Sequence, residues 1–224
     1  MKKKDIEIVT KGFREKSKNK HHRFVSFDFC YNHFLLKDPK EDLEKSCLTL
    51  GFYLASWGML RGSSFLLQKN LKHFQPTIEY IASIDKSVWK IDAHNYTDAN
   101  RKVILDIYKD VKGLLVLDGK SDMTLVTKAL LGVFGFVPAF DQYFCQTFRE
   151  IYKSQGCSFR LVNDEALKCI SDFYNCNHQV IDSISKNIYT IDFLSQESTS
   201  INYPKAKIID MYGFFSQQSL SKYP

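Results

Sequence analysis

From Ser46 to Leu60 the chain runs fifteen residues without a charge, and from Cys47 onward almost every side is apolar. A helix that is hydrophobic all round has no face to give to water, so it must be enclosed by other elements. The run contains Ser, Thr and Gly and is shorter than the roughly 20 apolar residues a membrane span needs, so a protein core is the expected enclosure. Gly51, Ala55, Gly58 and Gly62 fall at i, i+4, i+7 and i+11 and predict a stripe of small residues against which a second helix packs closely.

Neighbouring segments carry helical patterns too. The clearest is Asp98–Val116, where Val103, Ile104, Ile107, Tyr108, Val111, Leu114 and Leu115 trace one stripe and Thr97 or Asp98 caps the start. Helices are also predicted for Phe24–Leu36, Glu41 to about Gln68, Pro76–Ile84, Ser121 to about Val133, and from Pro138 through the Phe140, Phe144, Phe148 series. Asn163 or Asp164 caps a further helix, with a polar break at 175–179, and 206 to about 220 forms the last. Asp85–Tyr96 and Ser195–Pro204 read as loops, and β-branched stretches are scarce. The fold class expected is all-α: one domain over 23–224 with roughly eight to ten helices, preceded by a basic arm over 1–22. With 224 residues, 18 Phe and 12 Tyr, such a domain can build its core without metals or disulfides.

Charge is placed unevenly. Residues 1–23 hold nine Lys/Arg against Asp5, Glu7 and Glu15, which accounts for the whole formal net charge of +6. The arm reads as a solvated segment without a regular apolar face, contributing little to folding. Its sharper reading is an arm that meets phosphates or an acidic partner. The basic start is not followed by an apolar signal region, and no membrane span is visible, so a cytoplasmic location and no membrane partner are expected. Six cysteines without a CxxC pair are expected to be reduced thiols. Cys169, Cys176 and His178 lie near one another in sequence, but no fourth ligand sits at metal spacing; neither a metal nor a cofactor is called for. Dinucleotide, P-loop, zincin and nucleophile-elbow motifs are absent.

Charges inside apolar sequence are the candidate site. Asp28 sits among Phe24-Val25-Ser26-Phe27 and Phe29, Arg61 ends the long uncharged run, and Lys128 and Asp141 bracket Ala129–Phe140. Desolvating an ion costs several kcal/mol, so such groups pair or line a cleft. The plainer reading makes Asp28, Arg61 and Asp141 ion-pair partners that fix helix register. The functional reading gives Asp141 a catalytic role and Arg61, Lys128 and Asp28 binding roles.

The stretch Val126–Asp141 resembles a segment of the helix-hairpin-helix DNA glycosylase superfamily. Leu131-Gly132-Val133-Phe134-Gly135 is similar to its glycine-containing hairpin, and Val137-Pro138-Ala139-Phe140-Asp141 to its Asp-bearing turn. In the family a further helix separates the two elements, whereas here they nearly merge. The resemblance covers about 25 residues; it implies an all-α fold, DNA backbone held at the hairpin, and a nucleotide extruded toward Asp141. The sequence thus carries three function classes: a nucleic-acid-associated helical protein, a helical interaction or homo-oligomerisation module without catalysis, and an enzyme with a pocket around Arg61 and Asp141.

Overall fold

A computed structural model describes residues 6–218. Among them are nine α-helices: α1 (Ile6–Ser17), α2 (Ser26–Leu36), α3 (Leu43–Ser56), α4 (Gln75–Ser83), α5 (Asp98–Leu115), α6 (Met123–Phe134), α7 (Gln142–Ile151), α8 (Asp164–Lys186) and α9 (Lys205–Gln218). Short 3-10 turns link several of them, and one antiparallel hairpin, β1 (Tyr189–Ile191) and β2 (Ser198–Asn202), joins α8 to α9. The all-α expectation holds, with α9 ending at Gln218 as described and the rest of its expected span outside the described residues.

Two helices form the axis. Every residue of α6 from Leu125 to Phe134 is buried, as is every residue of α9 from Ala206 to Phe214. Around α9 pack α7, α1 and α8, while α2, α3 and α5 pack on α6. α5 presents Ile104, Ile107, Val111 and Leu115 inward as its stripe predicts, and the Thr97 hydroxyl accepts from Asn100 N–H at its start. Asn163 caps α8 through Ala166 N–H. The polar break in α8 is a local kink at Asn177 rather than a helix end.

Four expectations are corrected. The arm is not a free segment: residues 6–17 form α1, which buries Ile6, Val9, Thr10 and Phe13 against α9, a regular i, i+3, i+4, i+7 face. The ring of Phe13 stacks on Phe24 at 4.1 Å, and Phe24 stacks on Trp57 at 5.2 Å. Lys2, Lys3, Lys4 and Asp5 of the arm lie outside the described residues. Second, Ser195–Pro204 is not all loop, because 198–202 pairs with 189–191. Third, Pro138 does not open α7; it belongs to a buried extended segment, and α7 starts after its cap Asp141.

Fourth, the small-residue stripe does not run along one helix. α3 stops at Ser56, and Gly58 lies past its end with φ of +77°. This is the left-handed conformation that closes many helices and that only glycine adopts freely. A Cβ on Gly58 would also come 3.0 Å from Arg61 Nε. Gly58→Ala is therefore expected to cost about 1–2 kcal/mol, read as a lower urea midpoint at unchanged m-value. A midpoint equal to or above that of the parent would show that this backbone turn relaxes without glycine.

Candidate functional site

A lysine on a helix that is buried on every side has no route to water, so it must find its counter-charge inside. Both axial helices carry one. Lys128 of α6 and Lys207 of α9 converge with Asp141, Asp210, Tyr53, Trp57 and Phe214 around a chamber of about 10 Å3, room for one water-sized molecule.

Lys207 is 1% exposed. Its ammonium donates to Asp210 Oδ2 at 2.7 Å and lies 4.9 Å from the ring centres of Phe27 and Trp57 and 5.2 Å from that of Phe13. Asp210 Oδ1 accepts from Ala139 N–H at 3.0 Å. That bond ties the extended segment 135–141 to α9 and so positions Asp141. Two further long-range bonds hold the same segment: Phe140 N–H donates to Thr127 Oγ1 at 2.8 Å, and Thr124 Oγ1 donates to Phe140 O at 3.0 Å. Gly135, with φ of +71°, closes α6 and starts the segment where a Cβ would meet Pro204 and Tyr31.

Asp141 caps α7, its Oδ1 accepting from Phe144 N–H at 3.0 Å, while Oδ2 faces Lys128 Nζ at 4.0 Å. Lys128 Nζ donates to Trp57 O at 2.9 Å. Burial pushes the Asp141 carboxyl above its ordinary range, against the pull of Lys128 and the Phe144 N–H. Burial likewise holds the Lys128 amine below its ordinary range, against Asp141 and Asp210, and the charges of Arg23 and Arg61 push it the same way. A carboxyl raised and an amine lowered, side by side, have proton affinities closer than in water, which suits the pair to proton exchange with a group beside them. The indole N–H of Trp57, on the chamber wall, is buried with no hydrogen-bond partner among the described residues.

No family model, curated protein or solved structure matches this chain.

Of the residues singled out in the sequence, Lys128 and Asp141 meet. Arg61 does not join them as a buried partner: it is exposed, makes no ion pair among the described residues, and lies over the turn at Gly58. Asp28 is buried but elsewhere. Its carboxylate accepts from Tyr203 Oη and from Ile191 N–H at 3.0 Å, anchoring the β-hairpin to α2. The expected Arg61–Asp141 ion pair is thus replaced by Lys128–Asp141. Its reason is reach: Asp141 is sealed behind α6 and α9, and the cation able to meet it comes from the buried helix itself. Gly132 of the hairpin-like stretch is inside α6, where a Cβ would collide with the Tyr53 ring. The motif-like glycine at this position serves helix packing.

Sequence reasoning misses Lys207, Asp210 and Trp57. A signal for two of them is present: Lys207 and Asp210 lie i, i+3 within Ala206–Met211, between apolar residues, as Lys128 lies within α6. Among the described residues there is no group of three or more His, Cys, Asp or Glu able to hold a metal ion, and no helix is long and apolar enough to cross a membrane.

The rim of the chamber is cationic. Arg23 Nη1 donates to Ser56 O at 3.4 Å and its guanidinium lies 5.6 Å from the Trp57 ring centre. Burial first, then the charges of Arg23 and Lys16, pull the His22 imidazole below its ordinary range. Arg23 thus acts on both His22 and Lys128, and Arg23 and Lys128 donate to the carbonyls of Ser56 and Trp57 at the end of α3. Part of this serves the carbonyls that end α3, which favour cations. Yet neither Arg23 nor Arg61 has a carboxylate in ion-pair range among the described residues, so the rim keeps net positive charge.

Proposed function

We propose that this chain binds nucleic acid through the cationic rim at the end of α3, with phosphates contacted by Arg23 and Arg61 and the Lys128–Asp141 chamber beneath them. The observation that carries the reading is that unpaired Arg23, over the Trp57 ring, and unpaired Arg61, over the turn at Gly58, both act on the buried Lys128. Arginine suits this role because its planar guanidinium grips phosphate oxygens in two places and is weakly hydrated. The glycosylase resemblance of 126–141 implies the same class of partner but adds no contact surface, because its hairpin-like stretch lies within buried α6. The chamber itself is too small for a nucleobase, so extrusion of a base toward Asp141 would need the surrounding rings to move.

The test is fluorescence anisotropy with labelled single-stranded and duplex oligonucleotides over a salt series. Arg23→Ala/Arg61→Ala is expected to weaken binding to unrelated sequences alike and to reduce the slope of log K against log salt by about 2, one unit per lost phosphate contact. Unfolding curves of the variant establish that it is folded. An unchanged slope, or no binding by the parent, would overturn the proposal. A mass that rises with concentration in a non-binding parent would instead place the chain among homo-oligomerising modules.

A further inference from the structure

The chamber between α6 and α9 offers a small guest a particular set of partners. Trp57 lines it and is 7% exposed, and the indole N–H is buried with no hydrogen-bond partner among the described residues. The Lys128 ammonium carries three protons and gives one of them to Trp57 O at 2.9 Å. Asp141 Oδ2 stands 4.0 Å from that ammonium, close enough for an ion pair and too far for a hydrogen bond. A polar pair held at that separation is bridged when a water fits between its members. The enclosed space, about 10 Å3, has room for one.

We propose that this chamber is a binding site for a single water molecule, which accepts from the Trp57 indole N–H and bridges Lys128 to Asp141.

The chemistry of the walls selects the guest. Lys128 and Lys207 set two positive charges against Asp141 and Asp210, so the formal charges cancel and a neutral guest is favoured. The guest must also accept and donate at once, since Trp57 and Lys128 offer protons while Asp141 offers an oxygen. Ammonium accepts from neither donor. A halide ion donates nothing and faces two carboxylates. Water does both, and three partners is the usual number for a buried water. Tyr53, Leu131, Ala139 and Phe214 close the rest of the wall, so the water is expected to exchange slowly with solvent. The same water gives Lys128 and Asp141 a shared hydrogen-bond partner across a gap that neither side chain closes alone.

The test is NMR on the full nitrogen-15-labelled chain, without added ligand, with magnetisation selected at the water frequency. The chain has two tryptophans and so two indole N–H resonances, assigned by triple-resonance spectra. Trp89 is the internal control, because its buried indole N–H donates to Val133 O at 2.9 Å. The expected result is a cross-peak from water to the Trp57 indole proton, of opposite sign in NOE and ROE spectra as a long-held water gives, and none to the Trp89 indole proton. Oxygen-17 relaxation dispersion of the solvent is blind to exchanging lysine and tyrosine protons and so counts the molecule itself. Ala139→Val adds two methyl groups at the chamber wall and should lower the dispersion amplitude by one water per chain. Absence of the Trp57 cross-peak in the parent would overturn the proposal. Equal signs in the two spectra would do the same, because they mark exchange of the indole proton with open solvent, and neither readout needs a variant to fold. An unchanged oxygen-17 amplitude in folded Ala139→Val would overturn it too.

Discussion

Lys207→Met is expected to destabilise the protein by about 3–5 kcal/mol, the range for leaving one member of a buried ion pair without its partner. Methionine fills most of the lysine volume and lies well against Phe13, Phe27 and Trp57, so lost packing contributes little. What remains is the Asp210 carboxylate, 5% exposed, stripped of the ammonium at 2.7 Å and of the three rings that held that ammonium in place. Lys128 offsets part of this, since Asp210 already acts on it. Lys207→Met/Asp210→Asn removes both charges and keeps an oxygen for the Ala139 N–H, so roughly half of the loss should return and the double-mutant cycle should show a coupling of about 2 kcal/mol. Urea unfolding at constant pH reads both numbers. A single-variant cost below about 1 kcal/mol would mean that water reaches the cluster, and an additive cycle would mean that the two charges do not depend on each other.

The way this cluster is assembled explains what the sequence discloses and what it withholds. α5 is legible because one stripe, Ile104, Ile107, Val111 and Leu115, faces the core and its cap is local. α1 is legible in principle, since Ile6, Val9 and Phe13 have helical spacing, but its lysines and arginines dominate the composition of the segment. The segment from Phe136 to Asp141 is not legible. Buried backbone outside helices must still satisfy its polar groups. Here they are met by side chains distant in sequence: Tyr96 Oη donates to Phe136 O, Asp210 accepts from Ala139 N–H, and Thr127 accepts from Phe140 N–H. No local pattern encodes such partners, so Pro138 reads as a helix start. The site follows the same division. Lys128 and Asp141 stand out as charges flanking an apolar run, but their meeting depends on α6 and α7 being turned toward each other by that same segment. Arg61 stands out equally and ends in solvent, because α3 stops at Ser56, before reaching it.

Asp28→Asn tests the other buried carboxyl and should act in the opposite direction to the Lys207 variant. Asp28 is 1% exposed, and burial raises its folded pKa to about 7 from an ordinary value of 3.8, despite the hydrogen bonds from Tyr203 and Ile191 and the charge of Lys207. The folded state thus holds a proton that the unfolded chain gives up near pH 4. Where the native state binds more protons, stability falls as pH rises. The contribution of Asp28 is therefore fully present below about pH 4 and is lost progressively as pH climbs to about 7, above which the carboxylate is buried ionised. A carboxyl carried from 3.8 to about 7 on folding changes stability by roughly 4 kcal/mol across that window. Asparagine keeps the geometry: its Oδ1 can accept from Ile191 N–H and its Nδ2 can donate to Tyr203 Oη. It does not titrate, so its stability should lack this component of the slope. Asp92 and Asp141 also have raised values and act in both proteins, which is why the quantity to measure is the difference between the two stability curves from pH 4 to pH 8. The difference should grow in favour of Asp28→Asn across pH 4–7 and then level off at a few kcal/mol. A flat difference would show that Asp28 titrates in the folded protein near its ordinary value and is ionised across most of pH 4–8, with Tyr203 and Ile191 together offsetting its burial, and the α2–hairpin junction would then be a charged anchor rather than a protonated one.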